Sequence, residues 1–245
     1  MSSLNFSKPE KNQVAEWYHW VFSLNNGQNP FDPKVGGKFW DTAQTNNSLI
    51  WLAGVTATTE PAWKESKISN LTALVASSQG KTVYNDGKGN PVPKLPSAEP
   101  RLINIGDDPR DLYCPISTEL ATATKYPNIS DLQKAADEII DREDVPGKPP
   151  YPPAFVEING QKKANAELLS YRTKDSIDVL TVPSNNVFML PKQVSKKAAF
   201  SDYSVIVKRD ALTLTENTLK FGVTGKFFEY TVEYKIKTQT ISESF

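Results

Sequence analysis

The sequence predicts a mainly β fold, an antiparallel β-sandwich of the jelly-roll kind with an N-terminal helix and one further helix. Near the C-terminus Phe228, Tyr230, Val232, Tyr234 and Ile236 alternate with Glu229, Thr231, Glu233, Lys235 and Lys237. That period of two marks a strand with one buried and one wet face. Asn159-Gly160, set between "AFVEI" and "QKKAN", is the strongest short-range signal for a type I′ hairpin. Short strand-like runs then follow one another with turn residues between them and no βαβ rhythm. At 245 residues the chain suits one β-rich domain over 1–245, with an irregular insertion around 86–128 and a Pro-rich tether at 145–153.

Taken in order, Ser7-Lys8-Pro9-Glu10 fits an S-x-x-E capping box, with proline tolerated in the first helical turn. Val14, Trp17, Tyr18, Val21 and Phe22 recur at i, i+3, i+4, i+7 and i+8, one apolar stripe of an α-helix and hence core. Residues 25–47 are dense in Asn, Gly, Asp and Pro and read as a long loop. "SLIWLAGV" is a near-continuous apolar run, consistent with a strand covered on both faces, with Trp51 deep. "LTALVASS" and "KTVYN" add strands before the turn at Asp86-Gly87-Lys88-Gly89-Asn90. From Pro91 to Cys114 proline and short charged residues break any periodicity, so this stretch is read as an irregular excursion. Ser130-x-x-Gln133 with Leu132, Ala135, Ala136, Ile139 and Ile140 marks the second helix. After the tether, strands are expected at "ELLSYRT", "SIDVLTV", "NVFML", "YSVIVKR", "LTLTE" and "TLKFGVT".

Charge and composition exclude whole classes of function. Lys+Arg and Asp+Glu are both 28, which leaves no positive excess for nucleic acid or an anionic membrane. The opening residues lack the apolar stretch of a secretory leader, and no run approaches a membrane span. The expectation is a soluble, cytoplasmic chain, with a removed leader as the alternative. One His and one Cys make zinc improbable, and no metal or cofactor is expected. Dinucleotide, P-loop, hydrolase-elbow and zincin motifs are absent. Any Ser-His-Asp or Cys-His arrangement has to use His19.

Glu16, His19, Trp20 and Ser23 fall opposite or beside the helix's apolar stripe, so core packing does not obviously claim them. In one reading Trp20 caps a neighbouring sheet and Glu16 and His19 form a solvated i, i+3 pair. In the other, Glu16, His19 and Trp20 line a pocket with Trp40 and Asp41 from the glycine-rich loop, an aromatic floor with convergent polar groups. Trp17 and Gln44 complete the expected binding set. Glu16 favours a charged His19, and Asp41 or Asp32 offers a second carboxylate for acid/base work. Asp107, Asp108 and Asp111, like Asp141, Glu143 and Asp144, offer oxygen ligands for calcium without EF-hand spacing, and are read as solvated acidic loops. Cys114 is read as a small apolar residue.

Several of these residues also carry a resemblance. Trp17 and Trp20, Asn29-Pro30, Gly36, Gln44 and Trp51-Leu52-Ala53-Gly54 resemble the Trp-rich helix, Asn-Pro loop and "VWFLAG"-like strand of a family of uncharacterised bacterial and archaeal proteins. "VEINGQ", "SYRT", "FSDYSVIV" and "FFEYTVEYKI" are similar to that family's later strands. The resemblance implies a β-rich single domain and assigns no activity. Three functions are therefore carried forward. The first is a non-catalytic protein binding a small molecule or glycan through the Trp-rich helix and loop. The second is a hydrolase, lyase, isomerase or cyclase working through His19 with Glu16 or Asp41. The third is a structural or assembly subunit using exposed strand edges.

Overall fold

The computed structural model describes residues 6–24, 40–41, 43–54, 100–122, 154–178, 197–224 and 229–239. The expected strands in 71–85, the turn at 86–90, the helix at 130–140, the tether at 145–153 and the "NVFML" strand lie outside them. The described elements run β1 (Phe6–Ser7), α1 (Lys11–Ser23), β2 (Leu49–Trp51), β3 (Arg101–Gly106), β4 (Asp111–Thr122) and β5 (Ala154–Ile158). They continue with β6 (Gln161–Ala164), β7 (Arg172–Asp178), β8 (Lys197–Val207), β9 (Glu216–Thr224) and β10 (Glu229–Thr238). The protein is mainly β, as expected. No helix among the described residues is long and apolar enough to cross a membrane.

Among the described residues two five-stranded sheets form, and both are mixed rather than purely antiparallel. In the first, β8 pairs with β4 along one edge and with β7 and then β1 along the other, while β2 closes the β4 side. The second runs β3-β10-β9-β5-β6. The departures from antiparallel pairing are β2 beside β4 and β3 beside β10, both parallel. Parallel neighbours need long crossovers.

Burial explains the layering. On β8, Tyr203, Val205 and Val207 join a core cluster that also holds Ile103 and Ile105 of β3, Val156 of β5, Leu219 and Phe221 of β9, and Val232, Tyr234 and Ile236 of β10. The alternate residues Phe200 and Ile206 join a second cluster with Val14, Trp17, Tyr18, Trp20 and Val21 of α1. The two faces of the first sheet therefore join different clusters, one shared with residues of the second sheet and the other with α1. This is why β8 is buried at every position from Ala199 to Val207. β2 behaves likewise, with Ile50 facing the first cluster and Leu49 and Trp51 the second.

Several local expectations are corrected. Residues 91–114 were read as irregular, but Arg101–Gly106 and Asp111–Thr122 are strands. Pro115 obscures the second of these, and the structure accommodates it at a register shift against β8 between Pro115 and Ser117. A bulge is where a strand tolerates a residue with no N–H. Most of the expected strand "ELLSYRT" lies instead in a 3-10 helix, Asn165–Tyr171, and β7 begins only at Arg172. "LTLTE" contributes only its final residue, since β9 starts at Glu216. The helix cap also moves: Ser7 is drawn into β1 opposite Ile206, so Glu10 becomes the N-cap and its N–H donates to Gln13 Oε1 at 2.8 Å. The hairpin stands as read, with Asn159 and Gly160 at φ +49° and +83° between β5 and β6. β10 alternates as expected, with Val232, Tyr234 and Ile236 buried.

Candidate functional site

The helix that raised the functional question is mostly core. Trp17 is fully buried, stacks on Tyr113 at 5.8 Å and donates from Nε1 to Leu52 O at 2.9 Å. Trp20, which one reading sets against a neighbouring sheet and the other in an open pocket, is 2% exposed in the cluster between α1 and the first sheet. The apolar surface that α1 must cover is wider than a two-residue-per-turn stripe, so the side flanking Val14 and Val21 is buried too. Glu16 and His19 do remain exposed. Crowding by neighbouring atoms lowers the His19 pKa below its ordinary value, against the opposing pull of Asp178 and Glu16. Glu16 thus pulls toward the charged imidazole, and desolvation outweighs it.

The loop residues go elsewhere. Trp40 is half-buried and packs against the core between the sheets, on the other side of the first sheet from Trp20. Asp41 is exposed. His19, Trp20, Trp40 and Asp41 are therefore not gathered around one described cavity. Gln44 takes a structural role: its carboxamide accepts from Trp51 N–H at 2.9 Å and donates to Trp51 O at 3.0 Å, as a neighbouring strand would. It also donates to Trp40 O.

What Gln44 does reach is a polar cleft of about 640 Å³ between the turn before β2 and the β3–β4 turn. Gln44, Asn46 and Asn47 form one wall, and Asp107, Asp108 and Arg110 the other. Ile105 and Pro109 add apolar edges. The walls are braced from behind. Asn46 Oδ1 accepts from Ser48 N (2.8 Å), Ser48 Oγ (2.9 Å) and Leu49 N (2.9 Å), an Asx-type turn that aims the chain into β2. Its Nδ2 donates to Glu16 Oε2 at 2.7 Å, tying the wall to α1. Arg110 grips the Asp108 carboxylate through Nε and Nη2 and reaches Asn46 O with Nη1 at 3.1 Å. That hydrogen-bonded guanidinium holds the Asp108 carboxyl below its usual pKa, and Asp108 raises that of Arg110. Across the turn, Arg209 donates to Gly106 O and Asp108 O, and Lys208 pairs with Asp111 at 2.9 Å. Asp108 and Asp111 are thus occupied by cations, while Asp107 and Asn47 hold no partner among the described residues.

A second polar cluster is closed. Beneath α1 the Tyr113 hydroxyl donates to Ser204 Oγ at 2.9 Å, with Asp202 Oδ1 at 3.5 Å. Asp202 is fully buried, and burial pushes its pKa up to about 7 against the pull of the Ser204, Tyr113 and Tyr18 hydroxyls. Cys114 is buried on the opposite face of β4, which pushes its thiol pKa well up, in keeping with a small apolar role. No group of three or more His, Cys, Asp or Glu side chains that could hold a metal occurs among the described residues.

Sequence reasoning missed Asn46, Asp202 and Arg110. Asn46-Asn47-Ser48 before an apolar run is an Asx-turn signal that could have singled out the first. Asp202 acquires its character from elements distant in sequence, and Arg110, though gripped by Asp108 two residues away, meets the opposite wall only through Asn46 O, 64 residues distant. Compared with protein-family models, with curated proteins and with solved structures, the chain shows no match.

Proposed function

We propose that this chain is a non-catalytic binding protein, its two sheets forming a sandwich, which holds a polar small molecule or glycan in the cleft between Gln44–Asn47 and Asp107–Arg110. One observation carries the reading: the cleft walls are braced through Asn46, Asp108 and Arg110 and yet present uncommitted Asp107 and Asn47 side chains. Its volume of about 640 Å³ is that of a small-molecule site. A carboxylate and a carboxamide beside the apolar edge of Pro109 suit the alternating hydroxyl and C–H surface of a sugar. The site lies on the loop side of the Trp-rich region, with Gln44 as the shared residue and the tryptophans as framework.

The test is an amide NMR titration of the full chain with a panel of neutral mono- and oligosaccharides. At least one ligand is expected to shift Asn47, Asp107 and Arg110 resonances saturably, and the Asp107→Ala/Asn47→Ala double variant to lose the response. Shifts confined to other regions, or none across the panel, reject the reading.

An assembly role has one observation in its favour: β3 is the end strand of its sheet, and its Leu102 side chain is 66% exposed.

A further inference from the structure

We infer that Arg101 is the anchor of a carboxylate-binding site between the two sheets. Arg101 opens β3 on the inward row it shares with Ile103 and Ile105, and it is 3% exposed. Its Nη1 donates to Ala53 O at 2.8 Å and to Tyr234 Oη at 2.9 Å. The Tyr234 hydroxyl is itself fully used, since it donates to Ala53 O at 2.9 Å and accepts from Ala53 N–H at 3.0 Å. The guanidinium carbon lies 5.4 Å from the centre of the Tyr234 ring, which in turn stacks on Phe221. One edge of the guanidinium is therefore fixed in place.

The other edge is not used. Nη2 is buried without a hydrogen-bond partner, and no acidic side chain among the described residues pairs with Arg101. An arginine cannot discharge by losing its proton, and burying its charge unpaired costs several kcal/mol. The edge formed by Nε and Nη2 presents two parallel N–H groups whose spacing matches two carboxylate oxygens. Charge selects the class of ligand. The site supplies one positive charge, and Ala53, Ile103 and Phe221 add none, so a monoanion leaves it neutral. A phosphate group, carrying about 1.5 to 2 negative charges, leaves an excess in apolar surroundings.

The experiment uses the full chain, labelled at arginine nitrogens, titrated with sodium acetate against sodium chloride and sodium phosphate at matched ionic strength and pH. Acetate is expected to move the Arg101 Nε–H resonance saturably and to raise the melting temperature, with chloride doing neither and phosphate acting more weakly. Arg101→Lys, which keeps the charge and loses the fork, is expected to abolish the acetate response. Tyr234→Phe keeps the ring and removes one of the two acceptors that hold Nη1, and is expected to weaken acetate about tenfold; it carries the test should the lysine variant not fold. An unmoved Arg101 resonance at saturating acetate, an equal response to chloride or phosphate, or full acetate affinity in Tyr234→Phe overturns the assignment.

Discussion

Tyr113 and Asp202 meet beneath α1, hydroxyl to carboxyl at 3.5 Å, in a site closed to solvent and with no cation among the groups acting on the acid. Burial holds the Asp202 pKa at about 7 in the folded state, whereas an unfolded aspartate titrates near 4. Between those values the unfolded chain has released its proton and the native protein has kept it. Stability from this residue is therefore fully present below about pH 4 and lost as the pH rises to about 7, by a few kcal/mol in all, with no further change above. Urea denaturation across this range is expected to show Asp202→Asn gaining on the native sequence as pH rises. Parallel stability curves for the two proteins reject the assignment.

Gln44 stands in for a strand beside Trp51. Gln44→Ala is expected to destabilise by about 1 to 3 kcal/mol, because the Trp51 N–H and C=O lose their partner where water is poorly placed to replace it. Gln44→Glu can still accept from the N–H but sets a carboxylate oxygen against the C=O, so it is expected to fall no higher than the alanine variant. Chemical denaturation at pH 7 ranks the three, and a glutamate variant as stable as the native chain contradicts this account.

The two faces of α1 predict opposite outcomes. Trp20→Ala removes a buried ring and is expected to cost about 3 to 5 kcal/mol. His19→Ala, on the exposed face, is expected to stay within about 0.5 kcal/mol. A thermal or urea melt that finds Trp20→Ala silent contradicts the packing of the helix against the first sheet.

If β3 serves as an assembly edge, association has to be concentration-dependent and sensitive to charge at its exposed apolar position. Leu102→Lys is expected to remain folded and to shift the population toward monomer in sedimentation equilibrium. An unchanged mass distribution removes β3 from consideration.

Patterns set by near neighbours were readable from the sequence, and patterns set by distant ones were not. The stripe of Val14, Trp17 and Tyr18 on α1, the Asn159-Gly160 turn and the alternation of β10 are each decided within about ten residues. Trp20 stayed open between two readings because helical spacing locates a face without saying how much surface covers it. β3 and β4 were missed because prolines on either side hide a short alternating run, and because their parallel or bulged partners lie far along the chain. Of the candidate site, Gln44 was singled out for ligand binding and found to brace a strand. Asn46, Asp107 and Arg110 become neighbours only once the β3–β4 turn passes from one sheet to the other.

The parallel pairings also order the life of the chain. Ala53 and Tyr234, joined by two hydrogen bonds, lie 181 positions apart, and the aromatic side of α1 has no cover until β8 is in place. The two sheets complete at different points along the chain, since β4 waits for the strand that ends at Val207 and β3 for the one that ends at Thr238. Contacts this remote slow folding. Until β8 joins them, Trp17, Trp20 and Trp51 lack the Phe200 and Ile206 side chains that complete their cluster, leaving a large aromatic surface open to wrong partners.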